Sequence, residues 1–218
     1  MSGSLRELIA AGSREAGTDL SPPAVEQLII LMLELRKWNR KINLTAISAD
    51  REIIVKHIID SLTVSPLIPD GARVMDMGSG GGFPSIPLAI ARPDLRIVSV
   101  DATLKKIHFQ RHVIRLLSLN NLDALQARGE SLAGSHGGEF EVVLSRAFSS
   151  LPDFVSLAQP LITSGGRIIA MKGRGGEDEA NNSALFLGQR GLVVKNVKKL
   201  FLPFTQDERS LITVGPLY

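Results

Sequence analysis

Asp76, Asp101, Glu130 and Arg146 are the residues through which this chain can do chemistry, because each falls beside a glycine or at the end of an apolar run. In Asp76-x-Gly78-x-Gly80-x-Gly82 an acid precedes glycines at alternate positions, and Asp101 follows Gly78 by 23 residues. Glycine lets a loop turn tightly from strand to helix and lets backbone approach a ligand that a Cβ would hold off. The helix that follows offers N–H groups and the positive end of its dipole to an anion. A carboxylate about twenty residues on, closing the next strand, is placed to hydrogen-bond ribose hydroxyls. A nucleoside ligand is expected. The dinucleotide fingerprint, with glycine at its first, third and sixth places, does not fit: counting from Gly78 puts Phe83 sixth, and counting from Gly80 puts Ser85 there.

These residues need a scaffold, and the chain supplies one in two parts. From 1 to 65 the pattern is helical, an N-terminal extension. Ser21-Pro22-Pro23 gives a cap followed by proline, a helix start. Leu28, Leu31, Met32, Leu35 and Trp38 then recur on one face. Arg36, Lys37, Arg40 and Lys41 near that helix's end suit its dipole and are also placed to meet phosphate. Residues 39–47 read as a loop and 50–62 as a further helix, in which His57, Asp60 and Ser61 interrupt an apolar run and His57 is read as a packing histidine. Pro66, Pro69 and Asp70-Gly71 mark the passage into the second part, 66–218.

That part alternates strands and helices. Apolar runs at Val74–Met77, 97–100, 122–127, 142–145 and 167–171 read as parallel strands, with Gly165-Gly166 as the turn into the fifth. Runs at 193–200 and 211–214 read as a closing antiparallel pair. In an open parallel sheet ligands gather at the C-terminal strand ends, so Asp76, Asp101, Glu130 and Arg146 are expected to converge on one crevice. The helix 104–118 buries Phe109, Val113, Leu116 and Leu117 and shows His108, Arg111, His112 and Arg115 on another face, either a solvated surface or one turned to RNA. Lys172 to Glu179 reads as a mobile charged loop able to cover a site.

A chain of 218 residues, 44% hydrophobic, has ample core for one such unit with an extension. It contains no cysteine, which excludes disulfides, thiolate nucleophiles and Cys-ligated zinc, and its four histidines lack metal-ligand spacing, so no metal is expected. A net charge of +3 is compatible with nucleic acid without demanding it. No apolar run approaches the roughly twenty residues of a membrane span, and a cytoplasmic protein follows by default.

The acid-glycine loop resembles the first motif of S-adenosylmethionine-dependent methyltransferases, and seven strands with five parallel ones first look like their class I (Rossmann-like) fold. The class is thus α/β, a seven-stranded, mostly parallel sheet with an N-terminal helical extension. KWNRKINLTAI (37–47), KHIIDSL (56–62), MDMGSGGGFPSIPLAI (75–90), LSRAF (144–148), MKG (171–173) and ERSLITV (208–214), in this order, resemble the glucose-inhibited division protein B family. These are bacterial enzymes that methylate guanine N7 in small-subunit (16S) ribosomal RNA.

The resemblance implies S-adenosylmethionine as cofactor and 16S RNA or the small subunit as partner, with no obligate dimer suggested and a monomer expected. It implies cofactor contacts at Gly78, Phe83, Gly129, Glu130 and Arg146, with Asp101 as the ribose acid; Asp76, Gly80 and Gly82 complete the loop. The family usually has a larger or stiffer residue at Gly81 and glycine at Ser85. Arg146, as the catalytic candidate, either anchors the methionine carboxylate or orients the guanine; as a structural arginine it would pair with Asp76 or Glu130. Lys105, Lys106, Arg111 and Arg209 are candidates for the RNA side. Guanine N7 carries a free lone pair, so the absence of an Asn-Pro-Pro-Tyr-type motif or a nucleophilic cysteine agrees with that target. Two rivals are a nicotinamide-dependent oxidoreductase and a non-catalytic RNA-binding assembly factor.

Overall fold

The computed structural model describes residues 2–146, 148 and 150–217. Ala147, within the LSRAF stretch, falls outside them. Two long helices open the chain, α1 Ser2–Glu15 and α2 Pro22–Ile42. The Ser21 hydroxyl caps the second by accepting the Ala24 N–H, and Asn43 closes it in the left-handed region. The helical segment 50–62 is continuous but not uniform. Its ends, α3 Asp50–Ile53 and α4 Asp60–Leu62, flank a wide π-helical turn, Ile54–Ile59, a form often found at functional sites.

β1 Arg73–Met77, α5 Ser85–Ala91, β2 Arg96–Asp101, α6 Leu104–Leu117 and β3 Leu122–Gln126 follow, then α7 Ala133–His136, β4 Phe140–Ser145, α8 Leu151–Ala158 and β5 Ile162–Lys172. Two short helices, α9 Gly176–Asn182 and α10 Ala184–Gln189, precede β6 Leu192–Phe201 and β7 Glu208–Pro216. Among the described residues the seven strands form one sheet in the order β3-β2-β1-β4-β5-β7-β6. It is parallel through β5, and β7 lies antiparallel between β5 and β6. The chain works outward from β1 to β3 and returns to the other side of β1 as β4, so the strand order reverses between β1 and β4, where such sheets bind ligands.

Both faces of the sheet are covered, which is why the central strands are apolar throughout. Val74, Ile97, Val142, Leu144 and Ile169 alternate onto one face, under α1, α2, α5, α6 and the segment 50–62. Met75, Val100, Val143, Ile168 and Ile212 point to the other, under α8 to α10. The N-terminal helices share the first of these cores with the sheet, burying Leu28, Leu31, Met32, Leu35, Ile54 and Ile58 in it.

Three expectations are corrected. Gly165-Gly166 is not a turn ahead of β5 but part of it: Phe140 pairs with Ile162 and Val142 with Arg167, so residues 163–166 bulge opposite Glu141. The charged stretch 172–179 is not a mobile loop, because α9 begins inside it with Glu177, Asp178 and Glu179 in its first turn, where carboxylates suit the helix dipole. Glu179 then pairs with Lys172 at 2.9 Å. Leu116 is 49% exposed, and the buried side of α6 consists of Ile107, Phe109, Gln110, Val113 and Leu117.

Candidate functional site

Gly78, Gly80 and Gly82 all take positive φ (73°, 60° and 83°), so their alternate spacing is a backbone requirement. A Cβ on Gly82 would lie 2.4 Å from Ile86 Cδ1; one on Gly81, whose φ is ordinary, would meet Phe83 Cε2 at 3.4 Å. The loop is held by neighbouring strands. The Gly78 and Ser79 N–H groups donate to the Val100 carbonyl at 2.9 Å, and the Gly80 N–H donates to Asp101 Oδ2 at 2.9 Å. Beneath it, the buried Gln110 amide of α6 donates to Ser79 Oγ and the Gly80 carbonyl, each at 2.8 Å, and accepts from Ser99 Oγ at 2.6 Å. Sequence reasoning passed over Gln110. Its signal was a lone uncharged polar residue on the stripe Ile107, Gln110, Val113, Leu117.

Asp101 closes β2 as expected. Its Oδ1 accepts the Thr103 N–H at 2.8 Å, and Lys106 Nζ stands 3.7 Å from Oδ2. Because a carboxylate accepts at about four lone-pair positions, these contacts leave Asp101 able to hold ribose hydroxyls as well. It lines a cleft of about 490 Å³ together with Gly78, Gly129, Glu130, Phe148 and Leu157.

Asp76 is placed differently. Only 1% exposed, it lies behind the loop, where Oδ2 accepts the Ser85 N–H at 3.2 Å and the Ser85 hydroxyl. Its Oδ1 has no hydrogen-bond partner among the described residues. Burial pushes this carboxyl up to about 7, against the Ser85 hydrogen bonds and the Arg146 charge, which favour ionisation. The N-terminal N–H of α5 is therefore spent on the protein's own carboxylate, not offered to a ligand anion, and the Ser85 hydroxyl adds a second hydrogen bond to it.

A second cavity, of about 320 Å³, is lined by Lys56, His57, Asp60, Arg146, Lys172 and Arg209 among others. Lys172, which lines this cavity, donates from Nζ to the carbonyl of Phe148, which lines the cleft, at 3.0 Å. Arg146 thus stands apart from Asp101 and Glu130, and the four residues expected to converge are divided between the cleft, the cavity and the space behind the loop. Its partners are neither Asp76 nor Glu130. Nη1 donates to the Lys56 carbonyl at 3.2 Å and to Asp60 Oδ2 at 3.4 Å, and Nη2 to His57 Nδ1 at 3.3 Å, because the segment 50–62 lies over the ends of β4 and β7.

His57 does more than pack. Its ring stacks on Phe83 at 4.9 Å, and its Nε2 meets Thr45 Oγ1 at 2.7 Å. Burial, then the Arg146 charge, lowers its pKa to about 4, so it is neutral, accepting at Nδ1 from Arg146 and donating from Nε2 to Thr45. Thr45 is fixed in turn by Asn39, whose side chain bonds its carbonyl at 2.8 Å and its N–H at 2.9 Å. Phe83, an expected cofactor contact, sits buried beneath His57 and Arg146.

The RNA-side candidates separate. Lys105 is exposed at the start of α6, while Lys106 leans on Asp101. Arg111 donates to the Ala124 carbonyl at 3.0 Å from an exposed position. Arg209 lies inside the cavity, its Nε donating to Asp60 Oδ1 at 2.9 Å. The helix face that carries His108 and Arg115 is not uniformly outward, since His112 pairs with Glu34 at 2.8 Å and packs against Trp38 at 5.1 Å. Among the described residues, no three His, Asp or Glu side chains are grouped to hold a metal ion.

The arrangement offers a glycine cradle closed by a carboxylate and, beside it, a cationic cavity whose possible proton acceptors are engaged. A family model described as GidB, rRNA small subunit methyltransferase G, matches residues 24–212. Curated relatives named ribosomal RNA small subunit methyltransferase G include one from Geobacter metallireducens, 48% identical over 96% of each chain, and one from Myxococcus xanthus, 38% identical over 93% of each. Among solved structures, TYW2 from M. jannaschii in complex with AdoMet is similar over 73% of this chain and 76% of its own (TM-score 0.60, 14% identity). A precorrin-6y C5,15-methyltransferase from Geobacter metallireducens is similar over 72% and 88% (TM-score 0.55, 17% identity). At such identities these two speak for the fold, that of Rossmann-like methyltransferases.

Proposed function

The chain belongs to the GidB family, rRNA small subunit methyltransferase G, and from that premise we propose that it transfers a methyl group from S-adenosylmethionine to N7 of a guanine in 16S ribosomal RNA. The observation that carries the reading is the cradle of Gly78, Gly80 and Gly82 closed by Asp101 beside a cavity lined by four paired cations, Lys56, Arg146, Lys172 and Arg209, and no available base. The cofactor suits these residues. A Cβ on Gly80 would meet nothing within 4 Å, so the loop borders open space, and Asp76 keeps a buried oxygen unpartnered. Asp101 would hold the ribose, Glu130 and Gly129 the adenosine wall, and the glycine loop the remainder. When bound, S-adenosylmethionine supplies an electrophilic methyl on a sulfonium.

Positioning then supplies most of the rate. The cavity's composition bears on the target atom. Both Asp60 oxygens accept from arginines and His57 Nδ1 accepts from Arg146, so neither is poised to remove a proton. Guanine N7 needs none removed, because it presents a lone pair. Arg146 and Arg209 orient the guanine and its phosphates, and Lys105, Lys106 and Arg111 extend the RNA surface along α6. A dinucleotide oxidoreductase is not favoured, since the place its third glycine needs is Phe83, beneath His57. The protein acts as a monomer in the cytoplasm; among the described residues no helix is long and apolar enough to cross a membrane. Incubation with tritiated S-adenosylmethionine and small subunits from a strain lacking the activity tests the proposal. Label should enter 16S RNA, and label confined to protein or small molecules contradicts it.

A further inference from the structure

We propose that Asp60 is a positioning residue that sets Arg146 and Arg209 at the geometry the RNA meets, an inference that rests on the methyl-transfer reading above. Asp60 is 3% exposed. Its Oδ1 accepts Arg209 Nε at 2.9 Å, and its Oδ2 accepts Arg146 Nη1 at 3.4 Å. The two arginines come from different strands. Arg146 follows β4 and Arg209 belongs to β7, and β5 lies between those strands in the sheet. One carboxylate therefore spans the end of β5 and fixes both arms, with Lys172 at the end of β5 lining the same cavity.

The local helix is shaped for this. The π-helical turn Ile54–Ile59 ends at Asp60, and the Lys56 carbonyl and His57 Nδ1, both within it, take two further Arg146 donors. His57 is fixed by Thr45 and Thr45 by Asn39, so a chain of hydrogen bonds from α2 ends on the Arg146 guanidinium. Without Asp60, the guanidinium groups of Arg146 and Arg209 would lose the counter-charge they share and repel each other across the cavity.

Stability alone does not account for the arrangement. Burying a carboxylate costs solvation that its partners only partly return, and apolar replacements of buried ionic groups are often neutral or better. A side chain kept only for packing would sink its partners into the core, whereas Arg146 and Arg209 keep 24% and 20% of their side chains open on the cavity. Asp60 does not line the cofactor cleft, and although it borders the cavity it is almost wholly buried with each oxygen accepting from an arginine, so it acts through the arginines.

The test compares the full-length protein with Asp60→Asn, Arg209→Gln and the double variant, reading cofactor affinity, unfolding midpoint and methyl transfer to small subunits. Asp60→Asn should leave cofactor affinity unchanged while kcat/KM for RNA falls about 100-fold, the loss that a misplacement of roughly 1 Å produces. The double variant should be no worse than the poorer single one, because both changes dismantle one arrangement. A merely structural Asp60 would instead lower unfolding midpoint and cofactor affinity together, and its losses would multiply with those of Arg209→Gln. Unimpaired transfer by Asp60→Asn, or multiplying losses, overturns the inference while leaving the methyl-transfer reading in place. If Asp60→Asn does not fold, Asp60→Leu carries the same comparison. Failure of the unaltered protein to label RNA overturns the reading and this inference with it.

Discussion

Replacing Asp76 by Asn should stabilise the cofactor-free protein at pH 8 and do little at pH 4. In the fold Asp76 is fully buried, its Oδ1 has no partner among the described residues, and burial raises its carboxyl from 3.8 to about 7. Between those two values the folded chain holds a proton that the unfolded chain has released. Stability from this group is therefore complete below the unfolded value and drains away as pH rises toward 7. The difference of about three pH units, at 1.36 kcal/mol each, sets an upper bound of about 4 kcal/mol.

Asn mimics the protonated acid. Its oxygen can accept from Ser85 as Oδ2 does, and its amide takes the place of the neutral hydroxyl, so no charge is buried at any pH. Denaturant unfolding of both proteins at intervals from pH 4 to pH 8 measures the gap directly. It should widen by roughly 1.4 kcal/mol per unit and level off above pH 7, equivalent to about 2–4 °C in midpoint per kcal/mol for a chain of this size. A gap that stays constant across the range would refute the argument, since a pH-independent difference cannot come from a proton bound only in the folded state.

Gly82→Ala should cost stability and cofactor affinity together, by about 1–3 kcal/mol, because it places a Cβ 2.4 Å from Ile86 Cδ1 at a φ of 83°; calorimetric unfolding and cofactor titration read both. Gly81→Ala should instead gain about 0.4–1 kcal/mol of stability, since the backbone there is ordinary and the new Cβ meets Phe83 at 3.4 Å and Leu35 at 3.7 Å, both ordinary van der Waals contacts. Gln110→Leu removes the amide beneath the loop and leaves the buried Ser79 and Ser99 hydroxyls short of a partner, so cofactor affinity should drop by about tenfold, roughly 1.4 kcal/mol, in the same titration. Equilibrium binding should show S-adenosylmethionine held and NAD not, with Asp101→Ala abolishing the former; equal binding of NAD would reopen the oxidoreductase reading.

The succession of strands along the chain, the glycine register and Asp101 were legible in the sequence because each is local. A run of apolar residues, an alternate glycine and an acid at a strand end carry their meaning within about thirty residues, the reach of one βαβ unit. The cavity was not legible for the opposite reason. Asp60 is 86 residues from Arg146 and 149 from Arg209, and which carboxylate answers which arginine is decided only when the segment 50–62 comes to rest on the strand ends. Asp60 is visible as a polar break in an apolar run, yet the partners expected for a structural Arg146 were Asp76 and Glu130. His112 shows the same limit: its spacing with Arg111 and Arg115 described one basic face, but packing against Trp38 and Glu34 of α2 turned it inward. The helix α9 carried a readable signal in Glu177, Asp178 and Glu179, three acids suited to a first turn, which the glycines before them concealed.

The central claim is that this cradle and cavity deliver a methyl group to guanine N7. N7-methylguanosine yields to reduction followed by aniline, which breaks the RNA at the modified base, so 16S RNA from small subunits treated with the protein and S-adenosylmethionine can be mapped by primer extension. One new cleavage at a single guanine, absent without protein or cofactor, is the expected result. Methyl incorporation into 16S RNA with no such cleavage, or none at all, would contradict it.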